Sequence, residues 1–246
     1  MAGELRPGPA SMAGLEWLVR VGPSPMDAWW CALGWGDRVA RSHACRLERE
    51  GWLERHRMFR GDGSLLVATR RGVRMTGLAV SAPAPPEPTL WAHDCACAWT
   101  AAWLTVRGAR DWSGPRDVLA DPDLKGTVVW STRVSLRRSG HRPDLAVRAP
   151  AGLMAVEVEL QRKNTSRMGG ILSMYRSWID AGKLAGVVYV CGSDARAGRV
   201  YELANKAGIK GRTLRIELLS DVREEAERYG GRSAGAAQAA PTARAR

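Results

Sequence analysis

Three observations predict a mixed α/β chain (α+β overall) built as two units. The stretch "SAPAPPEPT", Ser81 to Thr89, packs prolines too densely for a helix or a central strand, and it separates segments with different hydrophobic patterns. Before it, helical periods lead into two strand-like runs around a "GDG" turn; after it, helices alternate with apolar strands. A length of 246 residues suits one large domain or two small ones with proper cores. The boundaries expected are 1–80 for the first unit, 81–89 for a Pro-rich linker, 90–229 for the second unit, and 230–246 for a disordered basic tail. That tail, "GGRSAGAAQAAPTARAR", lacks the bulky apolar residues that offset ordering entropy.

In the first unit, "GLEWLVRVGP" reads as an amphipathic helix closed by Gly22 and Pro23, and "MDAWWCALGW" as a second helix ending near Gly34. The segment "DRVARSHACRLEREGW" reads as a third, with Asp37 as N-cap and Val39, Ala40, Ala44 and Leu47 on its apolar face. Its opposite face carries Arg38, Arg41, Ser42, His43, Arg46 and Arg49. Three helices followed by "WLERHRMFRGDGSLLVATRRG" make the pattern of a winged helix-turn-helix, whose third helix enters the DNA major groove and whose wing, here with Arg57 and Arg60, touches the backbone or minor groove. Between Arg38 and Arg74 ten arginines face four acids, which places a positive field where such a domain meets DNA.

In the second unit, "TLWAHDCACAWTAAWLTVRG" reads as a long apolar helix, "GTVVWSTRVSLR", "HRPDLAVRAP" and "GLMAVEVEL" as three strands, and "TSRMGGILSMYRSWIDAG" as a helix. A buried strand "AGVVYVCG", a helix "RAGRVYELANKAG" and a last strand "RTLRIELLS" complete an α/β core.

The formal charge of +12 points to a polyanionic partner, most simply double-stranded DNA. Arginine outnumbers lysine 32 to 5, part of which is the codon bias of a GC-rich genome, but that bias does not explain the excess of base over acid. Five cysteines, an odd number mostly in apolar segments with no signal peptide before them, fit a reducing cytoplasm. No apolar run approaches the roughly 20 residues of a membrane span, so no membrane partner is expected. A winged helix commonly dimerises, which leaves a homodimer open, although no zipper is present. No glycine-rich loop followed by lysine and Ser/Thr appears, which argues against nucleotide hydrolysis. The four histidines, His43, His56, His93 and His141, are spaced too widely for the paired-histidine strand of a tyrosine relaxase. In "HDCAC" the two cysteines stand two apart, on different faces of a helix, and read as core residues.

The stretch "RPDLAVRAPAGLMAVEVELQRKN", residues 142 to 164, carries the chemistry. Val156, Val158 and Leu160 alternate with Glu157, Glu159 and Gln161, so the two carboxylates share a strand face, and Asp144 lies a hairpin's length before Glu157. Carboxylates converging at a strand edge repel one another unless a hard cation sits between them, and magnesium is the natural occupant, with Asp144 and Glu157 as ligands. Between residues 125 and 176 these three acids stand among ten basic residues, a setting suited to a phosphate substrate. The competing reading is an ordinary strand whose polar face meets solvent. Tyr175 and Trp178 on the following helix would pack on the sheet or flank nucleic acid.

The order of helix, hairpin with Pro143-Asp144, strand with Glu157, then helix resembles the PD-(D/E)XK nuclease core, a restriction-endonuclease-like α/β fold. Joined to a winged helix by a short linker, the arrangement resembles the replication-relaxation family of actinobacterial plasmids and mobile elements. The resemblance implies a DNA-binding protein acting in plasmid replication or DNA relaxation, with a magnesium-dependent nicking or cleaving domain. It also implies a metal pair, Asp144 and Glu157, and a first-helix acid, for which Asp94 is in place. The family pattern puts lysine two residues after the second acid, where this chain has Glu159; Lys163, four residues on, is the candidate replacement, with Gln161 as a further water-holding group. The catalytic set is then Asp144, Glu157, Glu159 and Lys163. The other reading is a non-catalytic winged-helix regulator whose second domain serves dimerisation or partner binding.

Overall fold

The computed structural model of the chain describes residues 6–57, 63–109, 111–132 and 135–236, the last six of these by backbone alone, and the fold is mixed α/β. The N-terminal elements are α1 (Pro9–Val21), β1 (Ser24–Pro25), α2 (Met26–Leu33), α3 (Asp37–Arg49), β2 (Leu53–His56), β3 (Leu65–Ala68) and α4 (Arg70–Thr76). Pro9 opens α1 where its missing N–H costs nothing, and Gly22 closes it. Gly34, left-handed at φ 64°, ends α2. The strands pair antiparallel in the order β1-β3-β2, so this unit has the element order of a winged helix-turn-helix.

Two local expectations for α3 are corrected. Gly36 occupies the N-cap, and the Asp37 carboxylate instead accepts from Arg41 Nε one turn on, at 2.8 Å. Ala40, Ala44 and Leu47 are buried as the periodicity requires, but Val39 is 47% exposed, because adjacent helical positions are about 100° apart and only one of the Val39-Ala40 pair can face α1 and α2.

The C-terminal part runs α5 (Trp91–Val106), β4 (Trp112–Ser113), α6 (Pro115–Ala120), β5 (Gly126–Ser131), β6 (Leu136–His141), β7 (Leu145–Ala149), β8 (Gly152–Glu159), α7 (Thr165–Asp180), β9 (Gly186–Cys191), α8 (Asp194–Lys206), β10 (Leu214–Leu218) and α9 (Leu219–Ala236). The main sheet has the order β10-β9-β8-β7-β4, with β9 parallel to both neighbours and β7 antiparallel to β8. Val156, Val158, Val188 and Val190 turn to one face, under α5 and α9; Ala155, Val187, Tyr189 and Cys191 turn to the other, under α7 and α8. Covered on both sides, β9 is buried along its whole length, which is why its sequence is an unbroken apolar run.

The strand expected across 126–137 is instead the first arm of a separate ribbon, β5 paired with β6. Thr132 and Ser135 exchange side-chain and backbone hydrogen bonds that reverse the chain there. Helix α9 was also unanticipated. It is held by the i,i+4 pairs Arg223–Glu227 and Arg228–Glu224 and by the buried Val222 and Ala226, and it extends through 230–236, the first part of the expected tail. Residues 237–246 lie outside the described residues.

Helix α2 packs on α5 and α9, and buried side chains from α1 through β9 and α9 form one continuous cluster. The approach is close: a Cβ on Gly230 of α9 would lie 2.6 Å from the Cys31 carbonyl oxygen of α2. The N-terminal elements and the C-terminal α/β elements therefore share a core. The proline-rich stretch is tethered where Arg116 donates to the Ser81 carbonyl at 2.7 Å. Among the described residues no helix is long and apolar enough to cross a membrane.

Candidate active site

The alternation of β8 places Glu157 and Glu159 on one face, as its pattern requires, and that face is covered by α7: Glu157 is 1% exposed and Glu159 3%. This removes the reading of an ordinary solvent face. A bare carboxylate so deep would carry a desolvation cost of about several kcal/mol, so each needs a partner. Glu157 Oε1 accepts from the Tyr175 hydroxyl of α7 and from His141 Nε2 at the end of β6, the latter at 2.8 Å. Glu159 accepts from Lys163 Nζ.

Asp144 sits just before β7, and the hairpin register pairs Leu145 with Val156. Its Oδ2 accepts from the backbone N–H of Val158 at 2.8 Å, the residue between the two glutamates. The register therefore places Asp144 at the same end of the β7–β8 pair as Glu157 and Glu159, with its Oδ1 3.4 Å from His93 of α5, whereas Glu157 meets Tyr175 of α7.

Lys163 belongs to the short segment before α7, whose N-cap Asn164 accepts from the Ser166 N–H at 2.8 Å. That cap fixes where the helix begins and leaves Lys163 just outside it, free to send its stem back along β8. Burial alone would lower the lysine, but Glu157, Glu159 and Asp144 outweigh it and hold its pKa above the ordinary value. Lys163 is therefore a fixed positive charge facing three acids. Gln161, by contrast, is exposed.

Sequence reasoning missed His141 and left Tyr175 open between packing and nucleic-acid contact. Tyr175 is fully buried, its hydroxyl committed to Glu157; burial, then the negative charge of Glu157, drives its pKa well above the usual phenol value. Also missed was the α5 side of Asp144, where His93 Nε2 lies 3.4 Å from Asp144 Oδ1 and His93 Nδ1 lies 3.5 Å from Cys97 Sγ. The spacing of His93 and Cys97, i and i+4 on one helix face, was the available signal. The hydrogen bond to Asp144 raises the His93 pKa, and burial raises Asp94, on the same helix, to about 6.

The donor set at the hairpin suits a hard cation. Carboxylate oxygens each offer two lone-pair directions, and both donors to Glu157 meet the same oxygen, Oε1. Lys163 feels all three acids, yet among the described residues the group whose ligand atoms lie within metal-binding reach of one another joins Asp144 to His93 and Cys97 and not to Glu157 and Glu159.

On α3, Arg38, Ser42, Arg46 and Arg49 are exposed, as is Arg57 after β2. Arg41 is exposed but engaged with Asp37. His43 does not belong to the outward set: its Nδ1 meets Ser11 Oγ at 2.7 Å and its ring stacks on Trp35 with centroids 4.4 Å apart. It fastens α3 to α1, because its ring lies at the boundary of the buried face. Arg60 lies outside the described residues.

No family model matches the chain, and neither does any curated protein. Among solved structures the chain is similar to the crystal structure of protein VC1899 from Vibrio cholerae, with a TM-score of 0.34 and 13% identity. The match covers 92% of this chain and 57% of that one, so the chain spans little more than half the length of this neighbour, and a likeness so slight carries no argument about fold or function.

Proposed function

We propose that the chain is a DNA-binding protein whose α3 face and wing hold a duplex while the β7–β8 hairpin cuts or nicks a phosphodiester with magnesium. The observation that carries this reading is Lys163. The residue standing where the nuclease pattern needs lysine is Glu159, and Lys163 turns back onto it, within the electrostatic reach of Glu157 and Asp144. A migrated lysine so placed supplies the charge that the substituted position lacks.

The roles follow from the hydrogen bonds. Asp144 and Glu157 would hold the ion, and magnesium bound there supplies a Lewis acid and an activated water. Tyr175 and His141 orient the Glu157 carboxylate, and the Val158 N–H orients Asp144. Lys163, held protonated by its acids, serves as an electrostatic group facing charge that develops on the phosphate rather than as a general base. The exposed arginines of α3 neutralise backbone phosphates and position the duplex. The resemblance to the replication-relaxation family adds a setting, replication or relaxation of plasmid or mobile-element DNA.

Supercoiled plasmid incubated with the protein and magnesium or manganese tests the reading. Asp144→Asn and Glu157→Gln keep the shapes of the side chains, so they separate chemistry from folding. Metal-dependent nicking that disappears in both variants supports the proposal. No conversion by the wild-type protein, with gel-shift binding intact, makes it a non-catalytic winged-helix regulator whose second unit serves dimerisation or partner binding.

A further inference from the structure

We infer that His93, Cys97 and Asp144 form a second, chemically distinct metal site for a borderline transition ion, Zn2+ by ligand chemistry, on the α5 side of the hairpin. One nitrogen, one sulfur and one carboxylate oxygen from these residues all lie within 4.8 Å of one another. Around a tetrahedral zinc, with bonds of about 2.0 to 2.3 Å, neighbouring ligand atoms are about 3.3 to 3.6 Å apart, so the trio closes on an ion by side-chain adjustment alone. His93 and Cys97 stand i and i+4 on α5, which makes a two-point chelate on a rigid element, and Asp144 approaches from the hairpin.

The donor types decide the ion. Thiolate and imidazole are poor ligands for magnesium and good ones for zinc or cobalt, so this site differs in preference from the all-oxygen pair Asp144 and Glu157. Burial first, and then the charges of Asp144, Asp94 and Glu157, raise the Cys97 pKa, so the thiol gives up its proton when a cation displaces it. A cavity of about 360 Å³ opens beside the trio and leaves room for a fourth, exchangeable ligand. Arg116 and Arg142 line it, so guanidinium charge stands beside any anionic ligand that the ion takes from solvent. The inference goes beyond the nuclease reading and shares with it only Asp144, whose two oxygens face different sides.

Full-length protein purified with chelator and titrated with Co2+ in the absence of magnesium tests it. The expected result is a saturable set of intense visible bands of tetrahedral Co2+, with a near-ultraviolet sulfur-to-cobalt charge-transfer band, at one ion per chain. Cys97→Ser removes the charge-transfer band, and His93→Ala weakens binding by about ten- to a hundredfold, with melting of the metal-free variants checking that they are folded. Glu157→Gln retains the whole spectrum, whatever becomes of nicking, so failure of this site and failure of the nuclease reading are told apart. Absence of a saturable charge-transfer band in the wild type, or its persistence in Cys97→Ser, overturns the inference and leaves His93 as a hydrogen-bonded link between α5 and the hairpin.

Discussion

Two regions rich in charge, the outer face of α3 and the end of the β7–β8 hairpin, are built on opposite terms. On α3 the charged groups stand in water: Arg38, Arg46 and Arg49 are exposed, and the Asp37–Arg41 pair is 56% and 62% exposed at its side chains. Such a pair adds little to stability, because water and salt screen it. At the hairpin Glu157 and Glu159 are buried, and each is held by named donors. The difference teaches that charge on α3 is dispensable to the fold and available to a partner, whereas charge at the hairpin is part of the fold and must be perturbed isosterically before any effect on chemistry can be read.

The sharpest break of that contrast is Glu157→Ala. It strands the Tyr175 hydroxyl and His141 in a buried space, and urea denaturation should show a loss of about 3 to 5 kcal/mol, with Glu157→Gln losing clearly less. An equal loss for both would mean that the charge, and not the hydrogen-bond geometry, is what the fold requires.

His43 lies on the border between the two regimes. Burial, and then the nearby Arg46, lower its pKa below the ordinary 6.5. Below pH 6.5 the unfolded chain binds a proton that the folded chain resists, so stability should fall as pH drops from about 6.5 through the folded value. Melting temperatures across pH 5 to 8 should show this slope in the wild type and a flatter one in His43→Asn; an unchanged slope assigns the effect elsewhere.

The smallest effect on stability is expected for Arg46→Ala with Arg49→Ala, within about 0.5 kcal/mol of wild type. The same double variant should weaken duplex binding at all sequences and reduce the slope of log K against log salt by about 2, one for each phosphate that is no longer neutralised. Retained affinity with an unchanged slope would remove α3 from the proposed DNA contact.

The hairpin motif was legible because strand alternation is local: the pattern of Val156 to Gln161 sets which side chains share a face. Whether that face meets water or α7 depends on packing from distant segments, so the burial of Glu157 and its partner His141, 16 residues away on another strand, left no local mark. The same reasoning covers the fold. Helices α1 to α3 and strand β9 carry strong periods or apolar runs, whereas α9 hides its few buried positions, Val222 and Ala226, in a charged stretch whose pattern marks no element. The sharing of one core by both units was invisible for a related reason, since α2 meets α5 and α9 across long sequence separations.

The most direct test of the central claim is the rate of magnesium-dependent nicking by Lys163→Met, measured beside gel-shift affinity for the same plasmid. The migrated-lysine account predicts a nicking rate lower by about a hundredfold or more with affinity within about twofold of wild type. A Lys163→Met protein that nicks at the wild-type rate would contradict it.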